Sequence, residues 1–154
     1  MQSSKFLTMF VFGAAALAGP GFAADTLKVD EARVVATVPG QTVAAAYLTL
    51  ESPKDARVVS AESDVAGTVQ FHAMSMQGDV MRMRRLETLD LPAGRPLRLA
   101  PGGIHMMLTG LRAPLRPGGA VVLRLTLAES GGASRVVTLR LPVVDRLGNG
   151  GRHD

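Results

Sequence analysis

Histidine and methionine are scarce in this sequence and unevenly placed. The 154 residues hold three histidines, and two of them, His72 and His105, bracket the window that also contains Met74, Met76, Met81 and Met83, with Met106 and Met107 directly after His105. The stretch GGIHMMLTG, Gly102 to Gly110, sets one imidazole against two consecutive thioethers. Methionine used as a core gap-filler should be scattered among the apolar segments, whereas the long apolar runs 121–127 and 135–143 contain none. Neutral imidazole and thioether suit a soft ion of low charge, and thioether is a poor match for zinc, calcium or magnesium. Copper(I) is the natural candidate. A site of two His and two Met carries no ligand charge, and only its imidazoles compete with acid for protons. It also lacks the thiolate of a blue-copper electron-transfer centre, which favours holding and handing over the ion above cycling its oxidation state.

Each residue taken alone has a plainer reading. An isolated His in an apolar strand is more often a hydrogen-bonded structural residue, and a Met pair is more often core than ligand. Strand periodicity shifts the balance, because alternate residues share a face. Val69 and Phe71 form one apolar set, which turns His72 and Met74 to the other side. Ile104, Met106 and Leu108 form another, which turns His105 and Met107 together to the opposite face. Met106 is therefore expected in the core and Met107 beside His105. In 80–85, Met81 and Met83 share one face and Arg82 and Arg84 the other, so that segment offers two thioethers without choosing between them.

The elements that must position these side chains read as strands. Val121, Leu123, Leu125 and Leu127 alternate with Arg124 and Thr126, and Val137, Leu139, Leu141 and Val143 alternate with Thr138 and Arg140; Ser130-Gly131-Gly132-Ala133 between them reads as a hairpin connection. Further strands are expected at 27–37, 42–50, 56–61, 67–74, 79–85, 95–100 and 104–109, separated by turn signals such as Val38-Pro39-Gly40 and Leu91-Pro92-Ala93-Gly94. Eight or nine short strands without an amphipathic helix predict an all-β Greek-key sandwich or barrel. Pro101-Gly102-Gly103 reads either as a hinge before His105 or as a tight turn.

At the N-terminus, Lys5 precedes an apolar run from Phe6 to Ala18, followed by small residues. This is the pattern of a secretory signal peptide, with cleavage expected after Ala23; thirteen residues are fewer than the roughly 20 needed to span a bilayer. The 131 residues that remain suffice for one domain with its own core, and they carry 16 basic against 13 acidic side chains, a net +3. No nucleic-acid partner is expected from that modest charge in an exported chain. The sequence has no cysteine, which removes both a disulfide framework and a thiolate nucleophile. Nothing resembles a Gly-x-Ser-x-Gly elbow, a phosphate loop or a paired-carboxylate constellation, so no enzyme activity is expected.

The spacing also carries a resemblance. His72, ten residues, Met83, twenty-one residues and then His105-Met106-Met107 resembles the H-x10-M-x21-H-x-M signature of the PCuAC family of periplasmic copper chaperones, and the block VMRMRRLETLDLPAGRPLRLAPGGIHMMLTGLRAPLRPG, Val80 to Gly118, is similar to that family's central segment. The resemblance extends over about Leu27 to Pro142 and implies a cupredoxin-like β-sandwich in which His72, Met83, His105 and Met107 bind one copper(I) near the surface. It selects Met83 over Met81. It further implies delivery of copper to the dinuclear copper centre of cytochrome c oxidase subunit II, alongside Sco-type thiol proteins, by a monomeric periplasmic carrier. Two departures stand out. Ala73 follows the first histidine where the family often has an acidic residue, and the tail GNGGRHD offers only His153 where some members have a His- and Met-rich extension. The expected organisation is a signal peptide at 1–23, a copper-binding domain at 24–145 and a short tail at 146–154. The competing readings are a periplasmic copper buffer without directed delivery and an exported structural sandwich whose His and Met are packing residues.

Overall fold

A computed structural model describes residues 26–146; the expected signal peptide and nearly all of the expected tail, His153 included, lie outside the described residues. Ten strands follow one another: β1 (Lys28–Val35), β2 (Val43–Glu51), β3 (Ala56–Ser63), β4 (Thr68–Gln77), β5 (Val80–Leu86), β6 (Leu89–Leu91), β7 (Leu97–Leu99), β8 (Ile104–Thr109), β9 (Ala120–Glu129) and β10 (Ser134–Val144). Nine overlap the expected segments, with β4 running on to Gln77 beyond its expected end at 74 and β7 shortened to Leu97–Leu99. The additional one, β6, is a three-residue strand at Leu89-Asp90-Leu91, immediately before the Pro92 turn, where the sequence shows only punctuation. It is made by its partner: Ala56, Arg57 and Val58 of β3 pair with Leu91, Asp90 and Leu89, and both leucines are buried. Three residues are too few for periodicity to declare a strand.

The strands hydrogen-bond in the order β5-β4-β8-β2-β1-β10-β9-β3-β6, with β7 also on β2. The path turns over at β10, which runs antiparallel to β9 from Ser134 to Pro142 and then parallel to β1 through Val143 and Val144. A strand that changes partners in this way makes the corner of a sandwich. The inward residues of both halves meet in a single cluster: Ala44, Ala46, Leu48 and Leu50 of β2, Phe71 of β4, and Met106 and Leu108 of β8 face Val121, Leu123, Leu125 and Leu127 of β9. The core is aliphatic apart from Phe71 and Met106, as the composition requires. The fold is an all-β, cupredoxin-like sandwich.

The outer face of one layer is built by four consecutive strands, β5, β4, β8 and β2. Its registers are continuous: His72 stands opposite His105, Gln70 opposite Met107, Met74 opposite Met83, and Ala45 opposite Met107 from the other side. The predicted histidine and methionine face is this surface.

Candidate metal centre

Each side chain of the site is aimed by its strand's alternation. On β4, Phe71 packs into the core at 4% exposure, so His72 must point outward; on β8, Met106 at 0% does the same for His105 and Met107. Because His72 and His105 are directly paired across antiparallel strands, their rings meet edge to face, with centroids 5.7 Å apart and planes at 78°. The third expected ligand comes from the hairpin partner strand. Met83 on β5 lies one pair further along, and its Sδ is 3.0 Å from His72 Nδ1. Met107, the fourth, is half-buried on the same face, opposite Gln70.

The tautomers follow from the hydrogen bonds. His105 Nδ1 lies 3.2 Å from the carbonyl oxygen of Gly103, which can only accept, so the proton is on Nδ1 and the lone pair on Nε2. His72 Nε2 donates to Gln70 Oε1 at 3.0 Å, which leaves the His72 lone pair on Nδ1, facing the Met83 sulfur. Each imidazole is thus fixed by an acceptor on one nitrogen and offers the other, the arrangement that orients ligating histidines.

The Gly103 carbonyl is itself held by a tight turn. Gly102 takes the left-handed φ of +80°, Gly103 N–H donates to Ala100 O at 3.1 Å and Ala100 N–H to Ile104 O at 2.9 Å. Of the two readings of Pro101-Gly102-Gly103, the closed turn is the one found. Its carbonyl also accepts Met74 N–H at 3.2 Å, tying the turn before β8 to β4.

His105 lies on the outer, non-core face and yet is only 6% exposed. Its cover comes from two directions, the His72 ring and Tyr47 of β2, whose ring centroid is 6.4 Å away. Tyr47 is capped in turn by Arg33, with its guanidinium carbon 5.3 Å from the ring centroid. A register shift between Asp30 and Arg33 on β1, with Glu31 at φ +51°, is what brings Arg33 opposite Tyr47; a bulge re-aims the side chain that follows it. Gln70, Tyr47 and the Gly103 carbonyl are the site residues that the sequence reading missed. Gln70 was visible in principle, two residues before His72 on the same face. Tyr47 reaches the site only through the β2–β8 pairing.

The charges beside His72 are a pair, Arg85 with Glu87 at 3.8 Å. Arg85 stands opposite His72, and among the described residues no three His, Asp or Glu side chains group as a metal site. The thioethers and the two imidazole lone pairs are therefore the donors on offer, a set suited to a soft monovalent ion. Beside Met107, small Ala45 leaves an open cleft of about 460 Å³, also lined by Val35, Val43, Tyr47 and Pro101. A larger cleft of about 550 Å³ between β3 and β4 carries Asp64, Arg112 and Arg124, and there Arg124 pairs with Asp64 at 2.5 Å. That pair holds the Asp64 carboxyl below its ordinary pKa.

Burial of His72, then the neighbouring His105 imidazole and the Arg85 guanidinium, hold the His72 pKa below its ordinary 6.5. Above that value the ring is neutral in both folded and unfolded chains. As pH falls below 6.5 the unfolded chain takes up a proton first, so stability declines until the depressed folded pKa is passed and then levels off. Urea midpoints measured between about pH 7 and 5 should fall with acid in the wild type and fall less in His72→Gln. Equal slopes would assign the effect to another group.

The fold is a cupredoxin-like β domain of the kind seen in PCuAC structures. It is similar to the copper-bound PCuAC domain from PmoF2, at 24% identity and a TM-score of 0.61 over 77% of this chain and 92% of that one. It is also similar to DR1885 from Deinococcus radiodurans. The apo form matches at 27% identity, TM-score 0.60, over 95% of this chain and 97% of that one. The copper(I) form matches at 30% identity, TM-score 0.53, over 90% and 87%. Residues 27–143 match the family described as "Putative lipoprotein LpqE-like", and the chain belongs to that family. A curated relative, "Putative lipoprotein Lxx21020" of Leifsonia xyli subsp. xyli, is 36% identical over 127 residues, covering 82% of this chain and 74% of that protein.

Proposed function

We propose that this protein is an exported, monomeric copper(I) carrier that binds one ion through His72, Met83, His105 and Met107 and passes it to a partner by ligand exchange. The observation that carries the reading is the cross-strand His72–His105 pair, with each ring's proton held on one nitrogen and the His72 lone pair turned to the Met83 sulfur. The PmoF2 domain and DR1885 are described as copper-bound and copper(I)-bound, which supports copper as the cargo here. An uncharged donor set favours a single positive charge over a double one, since it offers no anionic ligand to offset the second charge. Such a site does no covalent chemistry, and its function is affinity and release.

Export is supported by the lipoprotein description of the relatives and by the signal-peptide pattern of residues 1–23; the compartment proposed is the periplasm. The recipient proposed is the dinuclear copper centre of cytochrome c oxidase subunit II, with Sco-type proteins as companions. The test is to load the protein with one copper(I), mix it with the apo soluble domain of subunit II and follow the absorbance of the dinuclear centre. Transfer at a rate above that of a small-molecule copper(I) complex is expected. Retention of the ion by the loaded protein would instead favour the buffering role.

A further inference from the structure

Of the six methionines from Met74 to Met107, the proposed site uses two and the core uses Met106. Met74, Met76 and Met81 are left, and the structure puts all three on the site's own face. Strands β4 and β5 are joined by Gly78-Asp79, a two-residue loop with Gly78 at φ +64°, and Gln77 pairs with Val80 across it. A glycine of positive φ at the first loop position closes a hairpin in a fixed register. That register sets Met76 opposite Met81 and Met74 opposite Met83. Two adjacent cross-strand pairs thus form a ladder of four thioethers that ends at His72. The other face of the same hairpin carries Ala73, Ser75, Arg82 and Arg84, with no methionine.

The ladder is open to solvent. Met76 is 60% exposed, Met81 52% and Met83 51%, and with Val80 they make four of the seven exposed large hydrophobics among the described residues. Exposed apolar side chains concentrated on one small hairpin mark a functional surface. Opposed side chains in an antiparallel pair stand about 5 Å apart at Cβ, and flexible methionine side chains can converge on one ion over that separation. Met83 belongs to both groups: its sulfur touches His72 Nδ1 and its strand partner is Met74.

We propose that Met74, Met76 and Met81 form a second, weaker soft-metal site at the hairpin tip, which captures copper(I) and feeds it through Met83 to the His72–His105 centre. The inference rests on the copper-carrier reading. The ion stays copper(I) throughout; each thioether is a neutral donor with no proton to lose, so movement along the ladder exchanges one sulfur for the next without redox change or proton release. Capture at the tip is thereby independent of pH, while the inner site, with its imidazoles, is not.

The test is a titration of the protein with silver(I), a redox-silent soft ion, and then anaerobically with copper(I), followed by the methionine methyl resonances. In the wild type the first equivalent shifts the Met83 and Met107 methyls and the second shifts Met74, Met76 and Met81. In the volume-conserving variant Met76→Leu, Met81→Leu, the first equivalent binds as before and the second weakens by at least about tenfold. Loading from a copper(I)–glutathione complex slows in the same variant. Saturation of the wild type at one equivalent with the Met76 and Met81 methyls unmoved overturns the proposal. If the hairpin methyls move while those of Met107 and the imidazole signals of His72 and His105 never do, the tip site stands and the inner-site reading fails.

Discussion

Replacing His105 and Met107 together by alanine should lower copper(I) affinity by at least about 100-fold, the upper end of what loss of an outer-shell partner costs and less than loss of ligands should cost. The pair supplies half of the proposed donor set from one strand, and its geometry is unusually well defined. His105 is 6% exposed, and its ring is held by the Gly103 carbonyl on one side and by His72 and Tyr47 around it. Little conformational freedom remains to be lost when the ion binds, so most of its donor strength goes into affinity. Competition against a copper(I) chelator measures the change. Because truncating a buried imidazole can itself loosen the sandwich, the partner variant His105→Asn, Met107→Leu, which retains side-chain volume, is titrated beside it and should bind equally poorly. Unchanged affinity in the folded second variant removes both residues from the site.

Met106→Ala should show the opposite profile. Its side chain is fully buried, in register with Ala46 on β2 and Phe71 on β4, at the point where β8 is packed to the core. Truncation to alanine removes apolar contacts and leaves a cavity, costing about 2–5 kcal/mol, a large share of the roughly 5–15 kcal/mol that stabilises a domain of this kind. Urea denaturation should show the midpoint falling with little change in slope, while the folded fraction keeps its copper(I) affinity to within about threefold. Adjacent methionines in one strand would thereby separate cleanly, Met106 acting on stability and Met107 on metal. A Met106→Ala protein of normal stability and lost affinity would mean that the two faces of β8 have been assigned the wrong way round.

That separation is a consequence of a period of two, and it is why so much of the site was legible. Alternation around Phe71 and around Ile104, Met106 and Leu108 assigns His72, His105 and Met107 to the non-core side with no knowledge of partners. The β4–β5 register was not legible in this way, because β4 runs to Gln77, past its expected end at 74, and it is the two-residue Gly78-Asp79 loop that sets the pairing. Strand β6 was illegible for the complementary reason: Leu89-Asp90-Leu91 has no pattern of its own and becomes a strand only against β3.

The sequence by itself therefore determined the face on which His72, Met74, His105, Met106 and Met107 lie, the aliphatic core behind them and most of the strands, because these depend on side chains a few residues apart. Only the tertiary structure decided that His72 stands opposite His105, thirty-three positions away, that Tyr47 and Arg33 roof the second imidazole, and that Gln70 and Gly103 hold the protons. Those features depend on strand register across β4, β8, β2 and β1, which is set by how the whole sandwich buries its leucines and by a bulge at Glu31. A shift of one residue along β4 or β8 would keep the composition unchanged and turn His72, or His105 and Met107, toward the core.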